Sequence, residues 1–164
     1  MKVLVITNDS TVFRYEEAKA EDMFGGRLTE VRNLKQRISE MFETSFGIIS
    51  GRYGFISGDR AITKYENVPD SETEYKMLEE RTGFSEWISM VSEGFDVTLL
   101  FVPKGMMRML MNVSIKGRII SSTSPEFKDE FERRGWSFYE RKGARVGRNN
   151  ADMIVSELLS VSSL

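Results

Sequence analysis

Apolar residues in this chain follow two kinds of pattern, and the two alternate along the sequence. Short runs of aliphatic and β-branched residues without polar alternation, such as Lys2–Thr7 and Asp96–Val102, are typical of strands buried on both faces of a parallel sheet. Longer segments carry apolar residues at spacings of three and four with charges between them, which predicts amphipathic helices. The clearest helix of this kind is expected at about 27–43.

The two patterns together predict five strands separated by helices. Strands are expected at 2–7, 46–50, 96–102, 117–122 and 136–139, and helices at 12–23, 27–43, 70–94 with a division at Gly83, 106–115, 124–134 and from about 150 onwards. Alternation of buried strands with helices favours a layered α/β fold. We therefore expect a single domain over residues 1–164, with three layers and a mostly parallel sheet of about five strands, flavodoxin-like or Rossmann-like.

Composition excludes several kinds of chemistry. The 164 residues include neither Cys nor His, which rules out disulfides, zinc sites built from Cys and His, Cys nucleophiles and triads that need a His base. An enzyme of this composition has carboxylates, Lys, Tyr, Ser and backbone amides to work with, and Mg²⁺ held by carboxylates stays open as a cofactor. No apolar run approaches a membrane span and no signal-peptide pattern precedes the first strand, so we expect a cytoplasmic protein.

The charge is small overall but unevenly distributed. The net charge is −2, yet residues 1–103 hold 12 Lys or Arg and 18 Asp or Glu, whereas residues 104–148 hold 11 and 5. The basic third is a candidate surface for phosphate or nucleic acid. A solvated surface of mixed charge is the alternative interpretation.

Polar and glycine-rich residues follow each predicted strand, and in an open parallel sheet ligands bind outside the carboxyl ends of the strands. Backbone amides at glycine turns and cationic side chains favour anions, and an aromatic ring in such a loop can stack on a base. The candidate ligand-binding residues are Asn8, Ser10, Ser50, Gly51, Arg52, Tyr53, Gly54, Lys104 and Arg148, and the loop before the last helix adds Arg145.

Two carboxylates are candidates for acid–base work or for holding a metal ion, namely Asp9 and Asp59, while Tyr53 and Lys104 are candidates to stabilise an oxyanion. Each candidate also has a structural interpretation, since glycines satisfy turn geometry and Asp9 or Ser10 can cap a helix. Neither G-x-x-x-x-G-K-[ST] nor G-x-G-x-x-G is present.

The stretch IISGRYGFISGDRAITKYE, residues 48–66, resembles the pattern hhSxxYGhhxxxxxIxxYD, in which h is apolar. That pattern occurs in α/β families of the DUF type, some of them associated with nucleobase-modification genes, and is distantly similar to the peroxide-stress YaaA-like proteins. Residues 96–110 and 147–154 resemble later parts of the same families. The resemblance implies an α/β fold and a link to nucleotides or nucleic acids. The matching positions are Ser50, Tyr53, Gly54, Ile62 and Tyr65.

Three functional hypotheses follow from these patterns. The first is a protein that binds a nucleotide, a nucleoside or another phosphate-bearing ligand at the strand carboxyl ends, around Ser50, Arg52 and Tyr53. The second is a non-catalytic interaction module, such as a homodimer, that uses the methionine-rich segment 106–111 or the tail 158–164. The third is nucleic-acid binding through residues 104–148, which ranks last because that segment contains no continuous basic run.

Overall fold

The centre of the fold is a strand whose side chains are buried on both faces of the sheet. In the computed structural model, which describes residues 1–164, this strand spans Lys2–Asn8. Val3 and Val5 contribute to one hydrophobic core, and Leu4 and Ile6 contribute to a second core on the opposite face. Successive side chains of a strand point to opposite faces, so an uninterrupted apolar run suits only a strand covered on both sides.

The elements alternate in the order that the patterns indicate, with short additions. Numbered along the chain, the strands are β1 (Lys2–Asn8), β2 (Glu17–Lys19), β3 (Glu43–Ser50), β4 (Gly54–Ser57), β5 (Ala61–Thr63), β6 (Val97–Phe101), β7 (Arg118–Thr123) and β8 (Ser137–Glu140). The α-helices are α1 (Ala20–Met23), α2 (Leu28–Ser39), α3 (Glu72–Thr82), α4 (Phe84–Ser92), α5 (Lys104–Leu110), α6 (Lys128–Arg134) and α7 (Arg148–Ser162), and a 3₁₀ turn at Pro125–Phe127 precedes α6.

Six of the strands form the main sheet, in the order β4-β3-β1-β6-β7-β8. Five of them are parallel, and β4 pairs antiparallel to the outer side of β3. Val5 lies at the middle of the register, opposite Phe46 on one side and Leu99 on the other. The five parallel strands follow the spatial order second, first, third, fourth, fifth, which is the flavodoxin-like order.

Helices cover both faces of this sheet. Residues of α1, α2 and α7 pack into the core that contains Val3 and Val5, whereas α3, α4, α5 and α6 pack into the core that contains Leu4 and Ile6. The predicted α/β fold, with three layers and a mostly parallel sheet, is confirmed. None of the helices is both long and apolar enough to cross a lipid bilayer.

The helix predicted at 12–23 was wrong for most of its length. Only Ala20–Met23 is helical, and Glu17–Lys19 instead pairs antiparallel with Ala61–Thr63 as a separate two-stranded sheet. A bridge between Phe13 and Phe24 closes the segment on itself. Pairing with a strand more than forty residues away overrides the local helical preference of this charged segment.

The methionine-rich segment forms a helix that lies inside the protein. Met106, Met107 and Leu110 of α5 are completely buried and pack in the second core. The helix is shorter than the predicted 106–115, because it begins at Lys104 and ends at Leu110. The buried-helix interpretation therefore holds for these methionines.

Replacing Thr98 with Val should stabilise the protein by about 1 kcal/mol. Thr98 is buried in β6 and its Oγ1 has no hydrogen-bond partner, so a methyl group of similar shape removes an unsatisfied polar atom. Urea unfolding measures the change. Thr7→Val is the matched control with the opposite sign, because Thr7 Oγ1 donates to the carbonyl of Phe101 and accepts from Arg145. Equal losses in both variants would contradict the prediction.

Candidate functional site

The main sheet has a topological switch point between β1 and β6. The chain moves from β1 to β3 on one side and then returns to β6 on the other, so the connections diverge and leave a crevice at the carboxyl ends of β1 and β6. A cavity of about 490 Å³ lies there. We call it the switch-point cavity. Its walls come from the last residue of β1 and the loop after it (residues 8–12), Gly26 and Arg27, residues 68–70, Tyr75, Pro103, Arg141, Gly143 and Arg145.

Asp9 is the buried carboxylate of this cavity. Its Oδ2 accepts hydrogen bonds from the hydroxyl of Tyr65 at 2.5 Å and from the backbone N–H of Gly51 at 2.7 Å. Its Oδ1 has no partner, although the residue is only 1% exposed. Burial raises the pKa of Asp9 to about 6, against the opposing effect of the Tyr65 hydrogen bond. Asp9 therefore changes charge close to neutral pH.

A chain of hydroxyl groups holds Asp9 in place. The hydroxyl of Ser50 donates to the hydroxyl of Tyr65 at 2.8 Å, and Ser50 Oγ in turn accepts from the backbone N–H groups of Arg52 and Tyr53. The ring of Tyr65 packs edge-on against Phe13, with ring centroids 4.9 Å apart. Burial and the charge of Asp9 raise the pKa of Tyr65 well above its ordinary value, so its hydroxyl remains a donor.

Arg145 attaches the loop before α7 to the end of β1. Its guanidinium donates to Thr7 Oγ1 at 2.9 Å, to the carbonyl of Asn8 at 2.5 Å and to the carbonyl of Asp9 at 2.7 Å. Burial, together with the neighbouring charge of Arg141, lowers the pKa of Arg145 to about 10, which still leaves it protonated at neutral pH. Arg145 therefore both orders the loop and brings a positive charge next to Asp9.

Arg141 is the cation of the cavity whose side chain has shielded nitrogens without a hydrogen-bond acceptor. It directly follows β8, and its backbone N–H donates to the carbonyl of Thr123 at 2.8 Å. Its Nε and Nη2 are shielded from water and have no hydrogen-bond partner. Burial lowers the pKa of Arg141, the carboxylate of Glu30 opposes this effect, and the nearby charge of Arg27 adds to it. Asn8 Oδ1, on the β1 side of the same cavity, is also buried without a partner.

A second, larger cavity of about 600 Å³ lies beside the hairpin between β3 and β4. We call it the hairpin groove. Residues 65–70 separate it from the switch-point cavity, and Pro69 lines both. Gly51 is required at this point because a Cβ there would lie 2.5 Å from Cδ of Pro69. Arg81 of α3 donates to the backbone carbonyls of Gly51 and Arg52, so its guanidinium stabilises the hairpin.

The structure distributes the predicted site residues over several places. Asn8, Asp9 and Ser10 line the switch-point cavity, and Gly51 and Arg52 line the hairpin groove. Ser50 is fully buried in the hydroxyl chain. The remaining candidates lie outside both cavities: Tyr53, Gly54, Asp59, Lys104 and Arg148.

Each of these outlying residues has an environment of its own. The Tyr53 ring lies against the guanidinium groups of Arg60 and Arg52, at 4.8 and 5.4 Å from the ring centroid. Gly54 adopts a φ of +75°, which favours glycine in the hairpin. Asp59 and Lys104 are exposed, and Arg148 is exposed beside a separate cavity of about 220 Å³.

Sequence reasoning did not single out Arg27, Tyr75 or Arg141 as site residues, and it named Tyr65 only as a position that matches the resemblance. The rule that ligands bind outside the carboxyl ends of strands could have identified Arg141, because this residue follows the carboxyl end of a predicted strand. The contact between Tyr65 and Asp9 had no such signal, since it joins residues 56 positions apart.

Comparisons of this chain with protein-family models, with curated proteins and with solved structures gave no match. The resemblance of residues 48–66 to the S-x-x-Y-G families therefore stays a prediction. No group of three or more acidic side chains lies where it could hold a metal ion.

Replacing Asp9 with Asn should stabilise the protein more at about pH 8 than at about pH 4. Folding raises the pKa of Asp9 to about 6, so the native state holds this proton more tightly than the unfolded chain does. The free energy of unfolding of wild type therefore falls by at most about 3 kcal/mol as the pH rises from about 4 to about 8, whereas the Asn variant has no carboxyl group to ionise at this position.

Urea unfolding of both proteins at the two pH values measures this difference. Asp59→Asn is the matched control, because Asp59 lies on an exposed turn and the same substitution there should have the same effect at both pH values. An Asp9→Asn effect that does not grow between the two pH values would contradict the assignment of Asp9 as a buried, destabilised carboxylate.

Proposed function

We propose that this protein binds a small phosphate-bearing ligand, of the nucleotide or nucleoside class, in the switch-point cavity. The observation that carries the proposal is the guanidinium of Arg141, which lines the cavity and has two shielded N–H groups without an acceptor. A shielded N–H group without an acceptor is costly, and native proteins rarely keep one without a reason. An anion bound in the cavity supplies that acceptor.

The chemistry of Arg141 points to an oxyanion. Adjacent N–H groups of a guanidinium form a planar fork that matches two oxygens of a phosphate or a carboxylate. Arg27 and Arg145 add positive charge to the walls of the same cavity, against the carboxylates of Asp9 and Asp70. The volume of about 490 Å³ falls within the range of small-molecule sites, so the cavity has room for more than a bare ion.

The distribution of ion pairs supports a small ligand over nucleic acid. Five of the eleven cations in residues 104–148 are paired with carboxylates, namely Arg108, Lys116, Arg118, Arg133 and Arg134. The six without an ion pair are Lys104, Lys128, Arg141, Lys142, Arg145 and Arg148, and of these Arg141 and Arg145 line the cavity. Pairing thus reduces the free positive charge available for a broad nucleic-acid surface, while two of the unpaired cations face the cavity.

The interaction-module hypothesis has less support from the described surfaces. Its methionine helix is buried at Met106 and Met107, and Leu158 of the tail is buried as well. Leu159 and Leu164 remain exposed at the end of α7. Scattered exposed apolar residues are normal on a monomer and do not by themselves indicate a partner.

Isothermal titration calorimetry with a nucleoside monophosphate at low ionic strength tests the proposal. Arg141→Gln should weaken binding by about 10-fold or more, because each hydrogen bond between the guanidinium and a phosphate contributes about 1.5–3 kcal/mol. The same variant should be at least as stable as wild type in thermal unfolding, since it removes a partly buried guanidinium that has two nitrogens without an acceptor.

Arg52→Gln is the matched control, because Arg52 lines the hairpin groove and not the switch-point cavity. Its affinity for the ligand should stay within about twofold of wild type. The proposal fails if wild type binds no phosphate-bearing compound. It also fails if Arg52→Gln abolishes binding while Arg141→Gln does not, because the ligand then occupies the hairpin groove.

A further inference from the structure

The switch-point cavity has two unmet hydrogen-bonding requirements of opposite kind. Arg141 Nε and Nη2 are donors without an acceptor, while Asn8 Oδ1 and Asp9 Oδ1 are acceptors without a donor. All three residues line the same cavity, yet they do not satisfy one another. Buried polar atoms are nearly always paired in native proteins. An unpaired set within one cavity therefore indicates which hydrogen-bond donors and acceptors a bound ligand would supply.

We propose that the ligand is a phosphorylated sugar of the pentose phosphate type, either free or as the sugar phosphate of a nucleotide. Its phosphate accepts from Arg141, and its hydroxyl groups donate to Oδ1 of Asn8 and of Asp9. This inference rests on the proposed function and narrows it from any phosphate-bearing compound to one that also carries neutral donors.

The two carboxylate oxygens of Asp9 differ, because one is held by hydrogen bonds within the protein and the other is free to accept one from a ligand. Its Oδ2 is already occupied by the Tyr65 hydroxyl and the Gly51 N–H, and Ser50 fixes Tyr65 from behind. Only Oδ1 is left to accept a further bond. A hydroxyl that donates to an ionised carboxylate forms a stronger hydrogen bond than one between neutral groups.

The charges around the cavity decide which kind of donor fits. Three arginines, Arg27, Arg141 and Arg145, outnumber the carboxylates of Asp9 and Asp70 on the cavity walls, so the net positive charge favours a neutral donor over an ammonium group. Inorganic phosphate as a dianion has a single P–OH donor, and that group cannot reach Asp9 without bringing the negative charge of the phosphate itself against the carboxylate. A sugar hydroxyl is a neutral donor and brings no negative charge to Asp9, while the phosphate on the same molecule reaches the arginines.

Calorimetric titration at about pH 8, where Asp9 is ionised, tests this inference with ribose 5-phosphate, inorganic phosphate and ribose as probes. Wild type should bind ribose 5-phosphate at least about 10-fold more tightly than inorganic phosphate, from one hydrogen bond to a charged acceptor. In Asp9→Asn the ratio of the affinities for ribose 5-phosphate and inorganic phosphate should fall towards one. The amide oxygen keeps the bonds from Tyr65 and Gly51, so the NH2 group takes the position of Oδ1, and an NH2 group donates but does not accept. Asp59→Asn, on an exposed turn, is the control and should keep the wild-type ratio.

Asn8→Leu provides a second variant in case Asp9→Asn does not fold, as judged by circular dichroism. It removes the other acceptor and should lower the same ratio. A ratio that stays at the wild-type value in every folded variant at these two positions would overturn the inference.

The outcomes separate this inference from the proposed function. If no phosphate-bearing probe binds wild type, the proposed function fails and the inference with it. If ribose 5-phosphate and inorganic phosphate bind equally, and both depend on Arg141, the proposed function stands and the inference is wrong. If a nucleoside monophosphate binds tightly while ribose 5-phosphate binds no better than inorganic phosphate, the donor lies on the base, and the inference is again wrong.

Discussion

The carboxylate of Asp9 is the point at which three separate parts of the chain meet. Asp9 follows the central strand, Gly51 belongs to the hairpin after the neighbouring strand, and Tyr65 begins the segment that separates the two cavities. Both hydrogen bonds end on the same oxygen, Oδ2. If that oxygen lost its position, the hairpin and the separating segment would lose their shared anchor, and the wall between the cavities would lose its support.

This anchor has an energetic cost that the fold does not remove. Burial opposes the ionised form of Asp9, and its pKa rises to about 6 even though two donors stabilise the charge. Arg141, which lines the same cavity, also loses solvation, and two of its nitrogens gain no hydrogen-bond acceptor. A fold selected for stability alone would favour neutral or paired side chains at these positions. Their presence together at the switch point is the main physical reason for the proposal that a ligand binds there.

The glycine turn between β3 and β4 has a supporting role in this arrangement. Gly51 lets Pro69 approach closely, and Gly54 takes up a backbone conformation that side chains disfavour. Ser50 and the backbone of this turn then hold Tyr65, which holds Asp9. The turn therefore shapes the switch-point cavity from behind, although Arg52 and the ring of Tyr53 lie outside it. Its glycines and its serine serve the site indirectly.

Local patterns in the sequence were sufficient for the layered architecture. Uninterrupted apolar runs such as Lys2–Thr7 predict strands covered on both faces, and apolar spacing of three and four predicts the covering helices, because burial imposes these periods on each element separately. The rule that ligands bind at strand carboxyl ends also brought Asn8, Asp9 and Ser10 forward from the sequence alone. The helix predicted at 12–23 was wrong because part of this segment pairs with a strand at Ala61–Thr63, which is distant in the chain.

The composition of the site needed the tertiary structure. Strand order decides which loops face one another, and no local pattern reveals that β6 returns to the other side of β1. That order brings the end of β1 together with Arg141 and Arg145 from the far end of the chain, and it leaves Arg52 in a different cavity. The sequence by itself determined most of the elements and pointed to one edge of the sheet as the candidate place for a site. Only long-range packing decided which charges share that edge and which of them lack a partner, because burial and pairing are properties of contacts between distant residues.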